Sequence, residues 1–283
     1  LGVVTRFAPS PTGYLHLGHV HAAHAAWSAA RQAGGSFLLR LEDIDPQRCK
    51  PAFAAAILED LAWLGLHWDG AVRVQSGHLS EYHSVLMALA ARGLAYPCFC
   101  SRADVAREAA ASAAAPHAPD GAPVYPGTCR ALAPDERAAR VARGDLHAWR
   151  LDMAAATAAA PRPCRFHEAG QRWVAADPAA FGDVVLGRRD APASYHLCVT
   201  HDDAVQGVTL VTRAMDLQPA THLHVLLQRL MGWPTPGYAH HALLLGDDGV
   251  RLSKRGGAPS VRDLRLGGAN VAQVFGMAGC APG

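Results

Sequence analysis

Residues 6–19 read RFAPSPTGYLHLGH, and residues 251–255 read RLSKR. In the first stretch two prolines and a glycine lead into His16-Leu17-Gly18-His19. Histidines at i and i+3 lie on one face of a first helical turn and can reach a single ligand. Gly18 between them leaves room for a flat base to approach the backbone. Standing alone, an HxGH also reads as a proline turn with two surface histidines. In the second stretch the residue type is informative, because of 26 Lys plus Arg only Lys50 and Lys254 are lysines. A compact ammonium on a flexible stem can follow a phosphate as charge develops on it, whereas a guanidinium is a rigid planar fork. Ser253-Lys254 is therefore a candidate for phosphate chemistry.

These residues need elements to hold them. The apolar run Leu1, Val3, Val4 predicts a buried strand, and the Ala-rich run from Ala22 to Ala30 predicts a helix. A Gly/Pro turn between a parallel strand and a helix is where open α/β sheets place nucleotide phosphates. A second short strand, 37–41, ends in carboxylates. Pro51 opens a helix over 51–66 with Phe53, Ile57, Leu61 and Leu64 at helical spacing, and a third helix over 79–92 ends at Gly93. This alternation predicts an α/β fold, a doubly wound parallel sheet of the Rossmann type. From Tyr96 the character changes to an Ala-rich helix over 102–115, a Pro/Gly loop, an Ala/Arg-rich helix beginning near Pro134, and strands at 147–151, 164–175 and 182–189. We read 1–83 as the first half of the nucleotide-binding domain and 84–192 as an α+β insertion. Residues 193–245, with a strand near 205–213 and a helix over 219–231, form the second half. Residues 246–283 then hold the RLSKR loop and a short tail.

Arg6 closes the first predicted strand and Arg213 ends VTLVTR. Two arginines converging on one pocket demand a carboxylate, through charge-assisted bidentate bonds. Glu42, at the end of the second strand, would accept from an ammonium, and Tyr195 could close the pocket with its hydroxyl. The competing reading pairs Arg213 with Asp216 and Arg40 with Glu42 as structural ion pairs. Cys98-Phe99-Cys100 followed by Cys129 can fold around a structural zinc, with Tyr125 or His117 as fourth ligand; three buried thiols are the alternative. Cys49, Cys164, Cys198 and Cys280 read as small apolar residues. His21, His24, His222, His224, His240 and His241 read as surface or core polar groups. Arg137, Arg140 and Arg143 share one helix face, either a solvated face or an RNA-contacting stripe.

Net charge is only +2 with a pI near 8.3, far less basic than non-specific nucleic-acid binders. No stretch reaches ~18 uninterrupted apolar residues, so no membrane span is expected. No charged segment followed by an apolar one opens the chain, which argues against secretion. Seven scattered cysteines suit a reducing compartment. The expectation is a cytoplasmic monomer.

RFAPSPTGYLHLGH together with RLSKR resembles the two signatures of the class I aminoacyl-tRNA synthetases. RLEDID (40–45) and SYHLCVTHDDAVQGVTLVTRAMDL (194–217) are similar to the glutamyl branch, and the resemblance runs from Thr5 to about Ser260. The chain departs from the pattern at Leu17, at Arg251 and Arg255, and at Ala214 where a glycine is usual. Only Ser253-Lys254 of the second signature is carried over.

The resemblance implies adenylation, in which an amino-acid carboxylate attacks the α-phosphorus of ATP and pyrophosphate leaves, with Mg²⁺ accompanying the nucleotide. It places His16, Gly18 and His19 on ATP and Lys254 on the leaving pyrophosphate, with Ser253 orienting the loop. L-glutamate falls to Arg6, Ser10, Glu42, Tyr195 and Arg213, and the stretch Phe7, Ala8, Pro9 belongs to the same site. It also favours Tyr125 as the fourth zinc ligand, beside Cys98, Cys100 and Cys129. Twenty-nine residues follow Lys254, so no anticodon-binding domain is expected. The chain thus resembles the short relatives of glutamyl-tRNA synthetase that attach glutamate to the queuosine base in the anticodon of tRNA(Asp). Other readings are a catalytic fragment of a glutamyl-tRNA synthetase, a small-molecule nucleotidylyltransferase or carboxylate–amine ligase, and a non-catalytic tRNA-binding relative.

Overall fold

The computed structural model describes residues 2–110, 117–119, 121–170, 173–191, 193–244 and 259–280. In chain order the first elements are β1 (Val4–Phe7), α1 (Leu17–Gln32), β2 (Ser36–Leu41), α2 (Pro51–Trp63), β3 (Arg73–Val74) and α3 (Leu79–Ala91). There follow β4 (Ala95–Cys98), α4 (Arg102–Ala110), α5 (Pro134–Ala142), β5 (Ala148–Leu151), α6 (Met153–Ala159), β6 (Arg165–His167), β7 (Trp173–Ala175) and β8 (Val185–Gly187). The chain continues with α7 (Tyr195–Val205), β9 (Leu210–Ala214), α8 (Ala220–Met231), β10 (Gly237–His241), α9 (Val261–Leu266) and α10 (Val271–Met277).

β1, β2 and β3 form one parallel ladder and β9 and β10 another. The two meet at Val4 and Thr209. The Thr209 N–H donates to the Val4 carbonyl at 2.9 Å, and the Val4 N–H donates to Thr209 Oγ1 at 2.8 Å. The strand order is therefore β3-β2-β1-β9-β10, reversing direction of winding between β1 and β9. That reversal opens the crevice in which doubly wound sheets bind ligands. Gly35 permits the β1–β2 approach, since a Cβ there would lie 1.9 Å from the Val3 carbonyl oxygen. The α/β architecture matches the expectation.

Between α3 and α7 the chain builds an antiparallel sheet, β4-β5-β8, and the separate hairpin β6–β7. The strand expected over 164–175 is this hairpin, because Ala169-Gly170 turns the chain with Gly170 at φ +73°. Of the helix expected over 102–115, residues 102–110 are α4 and 111–116 lie outside the described residues. Two core clusters support the crevice. Val20, Ala23 and Ala26 of α1 pack with Phe37 and Leu39 of β2 and Ile57 and Leu61 of α2. Tyr82 and Leu86 of α3, Leu151 and Leu186 share a second core with Leu197 of α7 and Leu223 and Leu227 of α8.

Two elements escaped the sequence reading. Tyr195–Val205 is a helix whose buried face includes the charged pair Asp202-Asp203. The tail folds into α9 and α10, and Val261, Val274 and the C-cap Ala278 enter the α1 core. Among the described residues no helix is long and apolar enough to cross a membrane.

Candidate active site

The crevice between β1 and β9 holds a cleft of about 310 Å³. Each strand meeting there delivers a charged residue at its C-terminal end. Arg6 comes from β1, Arg213 from β9, and Glu42 follows β2. The proline-rich turn is drawn over the sheet edge by the Glu42 N–H, which donates to the Pro9 carbonyl at 3.1 Å, and by the Lys50 N–H to Pro11 at 3.0 Å. Every expected glutamate-site residue, Arg6 through Ser10, Glu42, Tyr195 and Arg213, lines this one cleft with His16, Gly18 and His19. Ser253 and Lys254 lie outside the described residues. The described residues flanking their segment are at the rim. Leu244 lines the cleft, Ser260 bridges His16, and the Val261 N–H donates to the Leu15 carbonyl at 2.8 Å.

His16 is the N-cap of α1, and its Nδ1 accepts from the Gly18 N–H at 3.1 Å. The His16 N–H donates to Nδ1 of His19 at 3.2 Å, and the two rings lie 3.8 Å apart. With both Nδ1 atoms accepting, a neutral ring carries its proton on Nε2. The start of this 16-residue helix thus presents imidazole donors as well as the positive end of its dipole, a setting for anionic phosphates.

The two arginines are not equivalent. Arg6 is ion-paired, its Nε donating to Asp203 Oδ1 at 2.9 Å and its Nη1 to the Thr212 carbonyl at 3.2 Å. The same Asp203 oxygen accepts from the fully buried Arg40 at 2.7 Å. Arg213 instead donates to neutral partners: Thr221 Oγ1 at 2.6 Å, His224 Nδ1 at 3.2 Å and His240 Nε2 at 3.2 Å. His240 turns its Nδ1 to Glu168 Oε2 at 2.8 Å, and the His240 N–H donates to Glu168 Oε1 at 3.0 Å. His224 continues to His196 at 3.1 Å. Burial, reinforced by the Arg213 charge, holds His224 well below the ordinary histidine value and lowers His240 too, so both stay neutral acceptors. Arg213 therefore faces the cleft with its charge still available to a ligand, while that of Arg6 is largely offset by Asp203. His224 and His240 are more than the core polar groups that residue type alone suggested. The signal was their position on α8 and at the end of β10, the sheet edge where ligands bind. Ala242 to Leu244, just past β10, also line the cleft and were not anticipated.

The structural pairing weighed for Arg40 and Glu42 is present at 3.5 Å, yet Glu42 still lines the cleft. Burial pushes the Glu42 carboxyl up to about 7, against the opposing pull of Arg40 and Arg6 and with the help of Asp203 and Asp202. The carboxyl is raised above its ordinary value, so Glu42 is about half ionised near pH 7 in the free protein and loses its charge as the pH falls below that. If it accepts from an α-ammonium, kcat/KM for the amino acid should fall about tenfold per pH unit below 7. A bound ammonium lowers the Glu42 pKa, so kcat at saturation should fall later. A pH–rate profile of pyrophosphate exchange checks this. Glu42→Gln should remove the acidic limb, and an unchanged limb would exclude Glu42.

A second cluster lies in the segment after β4. The sulfurs of Cys98, Cys100 and Cys129 all lie within 4.8 Å of one another, and none of the seven cysteines is in a disulfide. Cys100 Sγ is 3.5 Å from Cys129 Sγ and 3.4 Å from the Tyr125 hydroxyl. Tetrahedral zinc with Zn–S bonds of about 2.3 Å sets ligand sulfurs about 3.8 Å apart, close to what is seen. Donors point at the would-be anions. The Phe99 N–H reaches Cys129 Sγ at 3.2 Å, Arg150 Nε reaches Cys98 Sγ at 3.3 Å, and the Cys129 N–H reaches the Tyr125 oxygen at 2.8 Å. His117, the alternative ligand, is exposed and outside this group. The group can hold a metal. Arg140 of the neighbouring helix α5 stacks 4.0 Å over Phe99 and pairs with Asp145, and Arg137 lies 5.7 Å over Tyr96. That arginine face packs onto the cysteine-bearing segment as much as it meets solvent.

Residues 2–281 match the family model described as tRNA synthetases class I (E and Q), catalytic domain. The chain is 47% identical to a protein of Rhodobacter capsulatus named Glutamyl-Q tRNA(Asp) synthetase, over 98% of this chain and 100% of that one. The chain belongs to this branch of the class I synthetases. A Symbiobacterium thermophilum protein of the same name is 43% identical over 96% of this chain and 84% of its own. A crystal structure of a glutamate tRNA ligase from Elizabethkingia meningosepticum, in complex with its amino acid, superposes with a TM-score of 0.75 at 28% identity. It covers 95% of this chain, which spans about half (53%) of that longer protein. An aminoacyl-tRNA synthetase ligase fold therefore surrounds the cleft.

Proposed function

We propose that this chain activates L-glutamate with ATP as glutamyl-adenylate without tRNA, then transfers glutamate to the queuosine base in the anticodon of tRNA(Asp). The observation that carries this reading is one cleft combining the imidazole-bearing N-terminus of α1 with an arginine held by neutral groups. ATP phosphates lie at His16 and His19, whose Nε2 donors and helix dipole stabilise the charge gathering at the α-phosphorus. The glutamate ammonium is held by Glu42 and its side-chain carboxylate by Arg213, with Arg6 and Tyr195 completing the pocket. Ser10 and the backbone of Phe7, Ala8 and Pro9 wall it. Lys254, assisted by Ser253, neutralises the departing pyrophosphate. Mg²⁺ accompanies ATP. In the second step a hydroxyl of the queuosine cyclopentene attacks the activated carbonyl and AMP leaves. A site that esterifies a ribose diol can accept that ring, since both present vicinal hydroxyls. The reading includes a cytoplasmic location, where ATP and tRNA are both present.

Cys98, Cys100, Cys129 and Tyr125 hold one zinc ion, a closed structural site that ties β4 to the loop before α5. No step of the reaction passes through it.

A catalytic fragment of a glutamyl-tRNA synthetase is the reading to separate. The protein should be given ATP, glutamate and tRNA from cells able and unable to make queuosine, and the digested nucleosides examined by mass spectrometry. Glutamylated queuosine is the expected product. Glutamate on the 3′ adenosine of queuosine-free tRNA would replace the proposal by the fragment reading.

A further inference from the structure

The hairpin β6–β7 has two contrasting faces. Cross-strand pairs Arg165–Ala175 and His167–Trp173 share one face, and Phe166–Val174 the other. Phe166 is fully buried against Val211, Val225 and Tyr238. Trp173, beside it, is 57% exposed, with Arg165 4.7 Å over its ring and the exposed His167 edge-on at 5.8 Å. A large aromatic left on a strand whose other face supports a good core is uncommon for a purely structural residue. The charge of the segment is also one-sided. Residues 161–175 contain Arg162, Arg165 and Arg172 and a single acid, Glu168. Glu168 is 8% exposed, and its carboxylate is turned inward onto His240.

That inward contact ties the hairpin to the cleft wall. Glu168 bridges the β10 strand at Tyr238 and bonds His240, which bonds Arg213 in the cleft wall. His167 is the neighbour of Glu168 and Trp173 pairs with His167 across the hairpin, so both stand on the outer face of a hairpin whose inner face is tied to β10 at the edge of the cleft. Any RNA that brings one nucleoside into the cleft must lead its neighbouring nucleotides across the adjacent surface. A cationic, aromatic face of this kind suits unpaired bases, which stack on indole rings while arginines meet the phosphates.

Building on the acceptor proposed above, we propose that the outer face of β6–β7, with Trp173 as platform and Arg165 and His167 beside it, stacks the unpaired tRNA nucleotides flanking the acceptor nucleoside. The test is a tRNA titration of the full chain, following indole fluorescence, with glutamate-dependent pyrophosphate exchange measured separately in the absence of tRNA. The wild type should show quenching that is missing in Trp173→Phe, while that variant binds tRNA within about threefold. Trp173→Ala should weaken tRNA binding about tenfold, which is about 1.4 kcal/mol and within the range of one base–aromatic stack. Arg165→Glu should weaken it comparably, more so at low salt. Exchange should be unchanged in all three. Binding by Trp173→Ala within twofold of wild type, or equal losses of binding and exchange, would overturn the platform. A wild-type protein that binds tRNA through Trp173 yet glutamylates no queuosine would overturn the acceptor reading and leave the platform standing.

Discussion

Arg213→Gln is expected to lower kcat/KM for glutamate in pyrophosphate exchange by about 10³-fold while leaving ATP binding near normal. Truncating one partner of a buried, hydrogen-bonded charge pair costs roughly 2–5 kcal/mol, or about two to three powers of ten or more. The upper part of that range applies because Arg213 sits among Thr221, His224 and His240, none of which offsets its charge. A ligand carboxylate is then a strong complement, and a neutral glutamine side chain leaves the guanidinium unpaired, so wild-type exchange with glutamine should be poor. Arg6→Gln has a different signature. It breaks the Arg6–Asp203 pair beside Arg40 and so should lower stability together with activity. Steady-state exchange with glutamate and glutamine, alongside thermal melting, distinguishes the two. An Arg213→Gln protein within threefold of wild type would remove this arginine from substrate recognition.

Loss of the zinc proposed at Cys98, Cys100 and Cys129 should have the second-largest effect, on stability rather than chemistry. Purified protein should carry one zinc per chain. The segment around it has a small core of its own, in which Tyr96, Cys98, Tyr125 and Cys129 are the buried members. A metal there supplies stability that so few apolar contacts cannot. Cys100→Ser or a strong chelator should lower the melting temperature by about 10 °C, the size of a 3–5 kcal/mol loss in a chain of this length. His117→Ala should keep its zinc, and Tyr125→Phe should bind it more weakly. Metal analysis showing no zinc in the wild type, or full zinc and stability in Cys100→Ser, would refute the site.

Residue type and spacing were enough to find the strand–turn–helix around His16 and His19, the parallel alternation that follows, and the CxC with its distant Cys129. Each of these is a local signal. Helix and strand periods are written within a dozen residues, and the motif residues fall at strand ends, which in a doubly wound sheet converge whatever the connections between them. The different electrostatic states of Arg6 and Arg213 were not written locally. They depend on Asp203 from α7, on His224 from α8, and on Glu168, 72 residues from the His240 it binds. The same holds for the tail. Its short helices read as a loop end because their apolar residues pack in a core built by α1, β2 and α2, far away in sequence. Sequence alone supplied the candidate groups for phosphate, ammonium, carboxylate and metal. Only the tertiary structure decided which arginine keeps its charge for a ligand, because a charge is available or offset according to neighbours brought from distant parts of the chain.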